Sequence, residues 1–423
     1  MKFFLIGIKG SGMAALAGIL QDDGYEVIGV DNSSKVFTEN ELSKRKIKVY
    51  EFPIDYRILD NISYVIIGHS FTNHEIVDKI KERNIPHLEY NEFIASYFKD
   101  LYQVAICGSH GKTTTTGYFY HGLKELIGVS MLRGDGIGIG GFANNFLVYE
   151  ACEYKDHFLK YNPNTIIITN IDYDHVDYFK SKRQYNSSFN KFSKKAKTVF
   201  VNYGDKNKIY HHNKITYGFS ESADYYLKNL HIENDLIYGE FYFHKTKLDD
   251  FHLPKMNKYN ILHILSLMAF LHHNNFDYSK ALPTFKNLPL AKRRLQLKVF
   301  NEDIYIDDYA HHPAQILASL ETIKLLYPHY RYVGIFKPDR YSRLVEFSKE
   351  FKLSLNKFDY SYVLPLYEKV DVDTTGLIKG KNIMFIDNLS SLINHEKNMP
   401  KTIYLCMSSK NIDTWIYGLV NGK

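Results

Sequence analysis

The sequence predicts an α/β fold built on parallel sheets, and three observations support this prediction. Short apolar runs rich in β-branched and aromatic residues alternate with helix-like segments along the chain. Two of these runs enter a glycine-rich turn that is followed by small or hydroxylated residues, which is the strand-turn-helix order of phosphate-binding sheets. The length of 423 residues corresponds to two to four domains at about 150 residues each.

Residues 1–98 carry the first alternation of strand-like and helix-like segments. Its strand candidates are FFLIGI at 3–8, EVIGV at 26–30, KVY at 48–50 and YVIIG at 64–68. The longer segments between them have the length and composition of crossover helices. This alternation therefore predicts a parallel sheet for the first domain.

A second α/β unit is predicted from residue 99 to residue 292. Its strand candidates are the apolar run 104–107, FLVYE at 146–150 and TIIITN at 165–170. The segment PTFKNLPLAKRRLQ at 283–296 then combines two prolines with a basic cluster, which indicates a link between domains.

The third α/β series occupies residues 293–423. Its strand candidates are DIYIDDY at 303–309, YVGIF at 332–336, YSYVLPL at 360–366 and TIYLCM at 402–407. The sequence contains no repeat of solenoid length and no low-complexity tract, which excludes a repeat protein. We therefore expect three separate α/β domains.

The composition is that of an ordinary globular protein and excludes several functional classes. Hydrophobic residues make up 45% of the chain and charged residues 24%, which excludes collagen-like and disordered proteins. Lys and Arg number 53 against 47 Asp and Glu. This mild excess suits a small anionic ligand, but the basic residues are not clustered as a nucleic-acid interface requires. We expect no nucleic-acid partner.

The distribution of cysteines and apolar residues predicts a cytoplasmic protein without a membrane segment. Cys107, Cys152 and Cys406 are far apart and form no C-x-x-C pair, so neither disulfides nor a zinc site is expected. Lys9 interrupts the apolar run at the start of the chain, which makes that run too short for a signal peptide. The longest uncharged stretch, 261–271, falls well short of the roughly 20 residues that span a bilayer.

The first glycine loop reads Gly7-Ile8-Lys9-Gly10-Ser11-Gly12 and leads into a helix that starts with small residues at Met13. Glycines in this position let backbone N–H groups and a helix N-terminus approach a phosphate. Asp31 ends the second strand candidate, about where an acid would contact a ribose. The loop alone is compatible with NAD, with a nucleotide-sugar diphosphate, or with a glycine turn that only packs strand against helix.

The second glycine loop is Gly108-Ser109-His110-Gly111-Lys112-Thr113-Thr114. It indicates a nucleoside triphosphate more specifically than the first loop indicates its ligand. A strand, a glycine turn, a lysine and a hydroxyl follow one another in the order that phosphoryl chemistry needs. Backbone amides can cradle the phosphates, Lys112 can neutralise their charge and Thr113 can hold Mg²⁺. The loop is shorter than the standard Walker pattern because Ile106 stands where that pattern has glycine.

Acidic residues and one histidine follow the next two strand candidates. Glu150 and Glu153 end the first, and the segment TNIDYDHVD, which contains His175, ends the second. The carboxyl ends of parallel strands share one edge of a sheet, so these side chains are expected beside the phosphate loop. Mg²⁺ prefers oxygen ligands, so the residues by themselves favour a hydrogen-bonding role at the sheet edge for His175 over a role as a metal ligand.

Six segments taken together, GIKGSGM, GSHGKTTTT, EACEY, TNIDYDHVDYF, IDDYAHHP and FKPDRYSR, resemble the Mur ligase family. They run from Gly7 to Arg343 in the order and with the spacing typical of that family. The resemblance implies a three-domain Mur ligase architecture: a Rossmann-like N-terminal domain, a central P-loop ATPase α/β domain and a Rossmann-like C-terminal domain. Residues 1–98 would then bind a UDP-sugar rather than NAD, residues 99–292 would bind ATP, and residues 293–423 would bind an amino acid.

The implied activity is ATP-dependent ligation of L-alanine to UDP-N-acetylmuramate through an acyl phosphate, an early cytoplasmic step of peptidoglycan biosynthesis. A carboxylate is a poor acyl donor, so ATP must first convert it into an acyl phosphate before the amine attacks. ATP and Mg²⁺ are the implied co-substrate and cofactor, and the two small molecules are the implied partners. No residue identifies itself as the base that accepts the amine proton, and the oligomeric state is left open.

The resemblance carries roles to individual positions. The UDP-sugar would contact Gly7, Gly10, Ser11, Gly12, Met13 and Asp31. ATP would contact Gly108, Ser109, His110, Gly111, Lys112, Thr113, Thr114, Asn260, Arg294, Asp308, Tyr309 and His311. The predicted catalytic residues are Lys112, Glu150 and His175, and the predicted metal ligands are Thr113, Glu150 and His175. Arg340 and Arg343 are candidates for a carboxylate of the amino acid or substrate, because a guanidinium suits planar anions, although a surface role fits them equally.

Three segments depart from the family pattern. The adenine segment reads NKYNILH at 257–263 and keeps only Asn260 of the usual G-x-H-N-x-x-N. The usual F-Q-P-H-R reads Phe336-Lys337-Pro338-Asp339-Arg340, and a late glycine-containing turn becomes Ser408-Ser409-Lys410. These changes leave two alternatives open: a related ligase that adds a preformed peptide or another amino acid, and a nucleotide-binding homologue with reduced turnover.

Overall fold

The structure is a computed structural model, and the residues that it describes are 1–34, 36–234, 236–254, 256–287, 295–300, 302–397, 399, 401–410 and 412–422, without the side chains of 285–287. The predicted ATP contact Arg294 lies outside the described residues. So does part of the predicted link at 283–296. The described strands form three sheets, and the expected α/β class is confirmed.

The N-terminal sheet is parallel throughout, with the strand order β3-β2-β1-β4-β5. Its elements are β1 (Lys2–Ile6), α1 (Ser11–Asp22), β2 (Glu26–Asp31), α2 (Glu39–Lys44), β3 (Lys48–Glu51), β4 (Tyr64–Ile67), α3 (Glu75–Glu82), β5 (His87–Glu89) and α4 (Tyr90–Tyr97). The central strands are almost uniformly apolar because helices cover both faces of such a sheet. The predicted strand at 3–8 ends at Ile6, since Gly7 turns the chain away.

The central sheet has the order β15-β14-β13-β12-β11-β10-β6-β9-β7-β8 within the described residues. Its elements are β6 (Tyr102–Cys107), α5 (Lys112–Leu123), β7 (Val129–Leu132), β8 (Gly138–Ile139), β9 (Phe146–Glu150), β10 (Thr165–Ile168), α6 (Lys182–Ser193), β11 (Thr198–Asn202), β12 (Lys214–Gly218), β13 (Tyr225–Glu233), β14 (Leu236–Phe243), β15 (Thr246–Pro254) and α7 (Lys258–His273). β6 runs parallel to both of its neighbours, β9 and β10. The strand ends that carry the predicted phosphate loop and acids therefore lie side by side.

The first two sheets pack against each other at α1. A Cβ added to Gly138 in β8 would lie 1.7 Å from the carbonyl oxygen of Ala15, so only glycine permits this close approach. Arg45 reinforces it by donating to the carbonyl oxygen of Gly138 at 2.7 Å, and Asp22 accepts the N–H of Gly140 at 3.0 Å. Together these two sheets form one compact unit.

The C-terminal sheet has the order β16-β17-β21-β18-β19-β20, and all of its described strands except the edge strand β16 are parallel. Its elements are β16 (Gln296–Phe300), β17 (Asp303–Asp308), α8 (Pro313–Leu326), β18 (Arg331–Phe336), α9 (Tyr341–Glu346), α10 (Ser348–Leu355), β19 (Tyr360–Val363), β20 (Ile383–Phe385), α11 (Leu389–Glu396), β21 (Thr402–Met407) and α12 (Asp413–Gly422). Apolar cores cover both faces. The predicted strand at 360–366 ends at Val363, two residues before Pro365, which lacks a backbone donor.

Within the described residues, the second compact unit consists of this sheet and its helices together with the segments 173–181 and 256–259. The segment 173–181 contains His175, which the sequence grouped with residues of the central sheet. Among the helices of the described chain, none combines the length and the apolarity that a membrane crossing requires.

Candidate functional site

The first glycine loop shapes a cavity at the carboxyl end of the N-terminal sheet. Gly7 follows β1 with a φ of +81°, a left-handed conformation that favours glycine. The cavity has a volume of about 360 Å³ and is lined by every residue predicted to bind the UDP-sugar, namely Gly7, Gly10, Ser11, Gly12, Met13 and Asp31. The structure thus brings these residues together, and their binding role stays a prediction.

The other wall of this cavity was not anticipated from the sequence. It is formed by Asn32, Gly68, His69, Ser70, Phe71 and Tyr90. Gly68 directly follows the predicted strand β4, which pairs in parallel with β1. The signal was therefore present in the sequence: a small residue and two polar residues after a buried strand lie at the same sheet edge as the glycine loop.

Asp31 holds the glycine loop in place. Its two carboxylate oxygens accept the N–H groups of Lys9 at 2.7 Å and Asn32 at 2.8 Å. The side chain of Lys9 is itself paired with Glu39 at 2.7 Å and Glu51 at 3.0 Å. A carboxylate offers about four acceptor positions, so the predicted bond to a ribose hydroxyl would use those that the loop leaves open.

The phosphate loop connects β6 to α5 and depends on two glycines. Gly108 has a φ of +134°, and a Cβ there would lie 2.2 Å from Oγ1 of Thr169. Gly111 has a φ of +81°, and a Cβ there would lie 2.5 Å from the ring of His263. Neither position has room for a side chain. The loop therefore follows a tight path that ends at the first turn of α5, where backbone N–H groups have no partner within the helix.

Residues at the end of β10 hold the phosphate loop in this shape. The N–H of His110 donates to Oδ1 of Asn170 at 3.0 Å, and the hydroxyl of Thr169 donates to the carbonyl oxygen of His110 at 2.6 Å. The Ser109 hydroxyl lies 2.8 Å from the hydroxyl of Tyr185 and bonds the backbone of Asp172. Ser109 and His110 thus lie in the loop as predicted, and their own side chains and backbone secure its conformation.

Lys112 is paired with Glu153 at the first turn of α5. Its ammonium lies 3.0 Å from Oε2 of Glu153, whose side chain is fully buried, and it also donates to the carbonyl oxygen of Gly108. Burial by itself lowers the pKa of Lys112, but the charge and hydrogen bond of Glu153 together with the nearby Cys152 and Glu150 raise the pKa above its ordinary value. Lys112 is therefore a permanently charged cation held against the loop.

Thr113 and Glu150 lie next to each other, as their proposed role in holding a metal requires. The Glu150 carboxylate accepts the N–H of Gly134, and the Thr113 side chain lies near enough to lower the pKa of Glu150. Burial raises the pKa of Glu150, while Gly134 and the charge of Lys112 oppose that rise. A carboxylate and a hydroxyl oxygen side by side form a donor pair that suits Mg²⁺.

His175, the third predicted metal ligand, belongs to the second compact unit, whereas Thr113 and Glu150 belong to the first. Its backbone has a φ of +53°, and its N–H donates to Oδ1 of Asp174 at 2.7 Å. Its role as a ligand stays a prediction.

Asn260 lies on α7, the helix whose residue His263 contacts the loop at Gly111. Residues three positions apart share a helix face, so Asn260 lies on the side of α7 that meets the phosphate loop. The contact of His263 with the loop could not be predicted from the sequence pattern, because it depends on the packing of α7 against Gly111.

The predicted ATP contacts of the C-terminal domain follow β17. Asp308 is buried and accepts the N–H of Ala310 at 2.8 Å and the hydroxyl of Ser319 at 3.1 Å, so it stabilises the turn. His311 lies with Nδ1 2.8 Å from the carbonyl oxygen of Tyr309. Burial and the charge of Arg343 lower the pKa of His311, which keeps its imidazole neutral.

Arg343 is paired with two carboxylates of the protein. Its guanidinium donates to Asp174 at 3.0 Å and to both oxygens of Asp339 at 2.8 Å, and the side chain is only 5% exposed. Protein carboxylates thus contact Arg343, and its predicted role in binding a carboxylate of the amino acid or substrate stays a prediction. Arg340 is 38% exposed and pairs with Asp177 at 3.2 Å, so of the two arginines it is the more accessible.

Comparison with known proteins agrees with this arrangement. The model of the Mur ligase family catalytic domain matches residues 2–102, and that of the Mur ligase middle domain matches residues 106–271. A UDP-N-acetylmuramate–L-alanine ligase of Streptococcus gordonii is 32% identical over 98% of this chain and 96% of its own length. The chain belongs to the Mur ligase family. An enzyme of the same name from Streptococcus pneumoniae gives the same identity and coverage with this Mur ligase.

Solved structures show the same fold. The UDP-N-acetylmuramate-alanine ligase MurC of Thermotoga maritima aligns with a TM-score of 0.81 at 23% identity, over 100% of this Mur ligase and 98% of that chain. A murein peptide ligase of Psychrobacter arcticus aligns with a TM-score of 0.68 at 16% identity, over 100% and 98% of the two chains. The predicted three-domain Mur ligase fold is thus confirmed.

Proposed function

We propose that this Mur ligase joins L-alanine to the lactyl carboxylate of UDP-N-acetylmuramate, with ATP as the energy source and Mg²⁺ as the cofactor. The observation that carries the proposal is the 32% identity, over nearly the full length of both chains, to ligases of that name. The cavity at the first glycine loop and the charged phosphate loop supply the binding sites that such a reaction needs. Because the reaction consumes ATP, we expect it in the cytoplasm.

The proposed reaction begins with transfer of the γ-phosphoryl group of ATP to the substrate carboxylate. A carboxylate oxygen attacks the γ-phosphorus, the bond to the bridging oxygen breaks and ADP leaves. Two anions must meet in this step. Lys112, held by Glu153, and the N–H groups at the start of α5 offset their repulsion and the charge that spreads over the phosphoryl oxygens.

The oxygens of Thr113 and Glu150 would hold Mg²⁺ at this site, and the family resemblance adds His175 as a predicted ligand. When bound, the ion supplies positive charge to the phosphate oxygens. The elevated pKa of Glu150 indicates a carboxylate that would gain from a cation, because burial without full compensation disfavours its ionised form.

In the second step the amine of L-alanine attacks the carbonyl carbon of the acyl phosphate. The tetrahedral oxyanion then expels inorganic phosphate and leaves an amide. The amine must lose a proton to attack, and bulk water or a base accepts it. We propose that residues 1–98 bind the sugar nucleotide, residues 99–292 bind ATP and residues 293–423 bind the amino acid.

A matrix of phosphate-release assays tests the proposal. With ATP, Mg²⁺ and UDP-N-acetylmuramate present, L-alanine should release phosphate faster than glycine, L-serine or the tripeptide L-alanyl-γ-D-glutamyl-meso-diaminopimelate. Phosphate release with the tripeptide, but with none of the three amino acids, would identify a peptide ligase instead. ATP binding without release on any acceptor would identify a homologue with little or no turnover.

A further inference from the structure

Lys9 lies inside the first glycine loop, a position from which a lysine can bind a phosphate directly. Two observations set it apart from such a lysine. Its side chain is only 5% exposed. It is also not among the residues that line the cavity, although Gly7 and Gly10, on either side of it, do line that cavity. The question is therefore what the ammonium group of Lys9 contacts instead.

The ammonium group of Lys9 is surrounded by oxygens of the protein. It lies 2.7 Å from the carboxylate of Glu39 and 3.0 Å from that of Glu51. It also donates to the backbone carbonyl oxygens of Asn32 at 2.9 Å and Ser34 at 3.2 Å. An ammonium group has three N–H donors, so these four acceptors are enough to occupy all of them. No donor is left for a phosphate.

The charges around Lys9 also argue against direct binding of an anion. Two carboxylates, those of Glu39 and Glu51, face a single ammonium group, so the cluster carries a net negative charge that repels a diphosphate. Burial by itself lowers the pKa of Lys9, but the hydrogen bonds and charges of Glu39 and Glu51 raise the pKa above its ordinary value. Lys9 is thus a permanent cation whose charge is neutralised within the protein.

Lys9 connects the glycine loop to both ends of the chain segment that leads from β2 to α2. At the β2 end, its backbone N–H donates to Asp31 and its side chain to the carbonyl oxygen of Asn32, and both of these residues line the cavity. At the α2 end, its carbonyl oxygen accepts the hydroxyl of Thr38, and its ammonium group pairs with Glu39. The loop and this segment are therefore held together by one residue.

We propose that Lys9 is a positioning residue for the sugar nucleotide, an inference that rests on the proposed function. By fixing Asp31 and Asn32, Lys9 sets the wall of the cavity that meets the nucleoside, since an acid at the end of the second strand is where such sheets contact a ribose. The phosphates are left to the backbone N–H groups of the glycine loop and to the N-terminus of α1. Loss of Lys9 should therefore weaken binding of the nucleoside whether or not it carries phosphates.

Binding of uridine and of UDP-N-acetylmuramate to Lys9→Met tests this role in the full-length chain. Methionine keeps most of the aliphatic length and removes the ammonium group. The Kd should rise at least about tenfold for both ligands, the effect of losing a hydrogen bond to a charged group, and by factors that agree within about twofold. Ligand-observed NMR measures uridine, and calorimetric titration measures the sugar nucleotide. A loss confined to UDP-N-acetylmuramate would show that Lys9 contacts the phosphates and would overturn the proposal, as would no loss for either ligand.

Steady-state kinetics give a second readout that a general loss of stability would not produce. In Lys9→Met the KM for UDP-N-acetylmuramate should rise about tenfold, while kcat and the KM for ATP change less than about twofold, because the phosphate loop follows a strand of another sheet. Thr38→Val removes only the hydroxyl that bonds the Lys9 carbonyl oxygen and should shift the same KM in the same direction. This milder variant carries the test if Lys9→Met does not fold.

Lys2→Met is the matched control. Lys2 begins β1, the strand that the glycine loop follows, and pairs with Glu26 at 2.8 Å at the opposite end of that strand. Its substitution should leave both Kd values and both KM values unchanged. Equal effects of Lys2→Met and Lys9→Met would overturn the proposal.

Failure of the proposed function and failure of this inference give different results. If the wild type binds the uridine ligands but releases no phosphate, the proposed activity fails and the Kd values still decide the role of Lys9. If the wild type binds neither ligand, the proposed function fails and hydrogen exchange decides whether Lys9 holds the segment. Faster exchange of the Asn32 N–H, which donates to Asp31, in Lys9→Met than in Lys2→Met would support that hold, and equal exchange would overturn it.

Discussion

At the scale of single residues, the pairing of Lys112 with Glu153 changes how the phosphate loop can be tested. Glu153 is fully buried, and Lys112 is the cation that compensates its charge. Removing only one member of a buried ion pair leaves an uncompensated charge, which destabilises a protein by roughly 3 kcal/mol or more. A simple deletion of the lysine therefore confounds catalysis with folding.

We predict that Lys112→Met lowers the stability of the protein by about 3 kcal/mol, whereas the double variant Lys112→Met/Glu153→Gln recovers most of that loss. Both should reduce phosphate release at least about 100-fold, because the charge that stabilises the transferring phosphoryl group is gone. Circular dichroism melts and phosphate-release assays make the two measurements.

Lys124→Met serves as the control for this pair of variants. Lys124 follows the last residue of the same helix, α5, and its pair with Glu125 is exposed. Its substitution should change neither stability nor turnover. A folded double variant with near-normal phosphate release would show that Lys112 does not act on the phosphates.

At the scale of elements, helix α8 depends on a histidine that must stay neutral. Nδ1 of His312 accepts the N–H of Ala314 as the N-terminal cap of α8, and Gln315 completes a capping box. The ring is 6% exposed and meets the ring of Phe347 edge-on at 4.8 Å. Burial lowers the pKa of His312 to about 4. A protonated ring would lose the acceptor that caps the helix.

We predict that protonation of His312 destabilises the C-terminal domain in acid. The unfolded chain binds a proton near pH 6.5 and the folded chain only near pH 4, so the unfolded state carries more protons between these values and stability falls as the pH falls. From pH 6.5 to pH 4 the wild type should lose up to about 3 kcal/mol more than His312→Asn, which caps the helix without titrating.

Urea unfolding followed by tryptophan fluorescence measures this difference, because Trp415 on α12 is the single tryptophan of the chain. Its signal reports the C-terminal domain. If the free energy of unfolding fell equally with pH in the wild type and in His312→Asn, the acid sensitivity would not arise from this cap.

At the scale of the whole molecule, the two glycine loops belong to two different sheets of one compact unit. The first lies at the end of β1 and the second at the end of β6. α1 connects the sheets by packing closely on β8, but each loop has its own set of supporting residues. We therefore expect two ligand sites that can be disabled one at a time.

We predict that Gly10→Val weakens UDP-N-acetylmuramate binding at least about tenfold and leaves the Kd for ATP unchanged. A Cβ at Gly10 would have one near neighbour, the carbonyl oxygen of Gly7 at 3.2 Å, so the protein should fold, while the branched side chain occupies the cavity that the residue lines. Calorimetric titration of each ligand separately is the measurement.

Gly376→Val is the control, since a Cβ there would have no neighbour closer than 4.0 Å and the position is remote from the cavity in sequence and in sheet. Unchanged binding of the sugar nucleotide by Gly10→Val would show that the cavity is not its site. Loss of both ligands in a folded protein would contradict the separation of the two sites.

The sequence alone was sufficient for the strand-turn-helix units and for the residues at their turns. The chain turns at Gly7, Gly108 and Gly111, where the positive φ is one that side chains rarely adopt and where a Cβ would meet a close neighbour. An apolar run before such a turn is a local pattern. The predicted cavity residues and the phosphate loop were found for this reason.

Only the tertiary structure determined which charged side chains form ion pairs and which segments line the cavity. Arg343 pairs with Asp174, far away in sequence, and Lys112 pairs with Glu153. Most of the second wall of the cavity comes from residues 68–71, after β4. The same holds for the close packing of α1 on β8, which joins two domains that the sequence presented as separate. Ion pairs and cavity walls depend on which strands become neighbours, and that choice results from the packing of the whole core rather than from any local pattern.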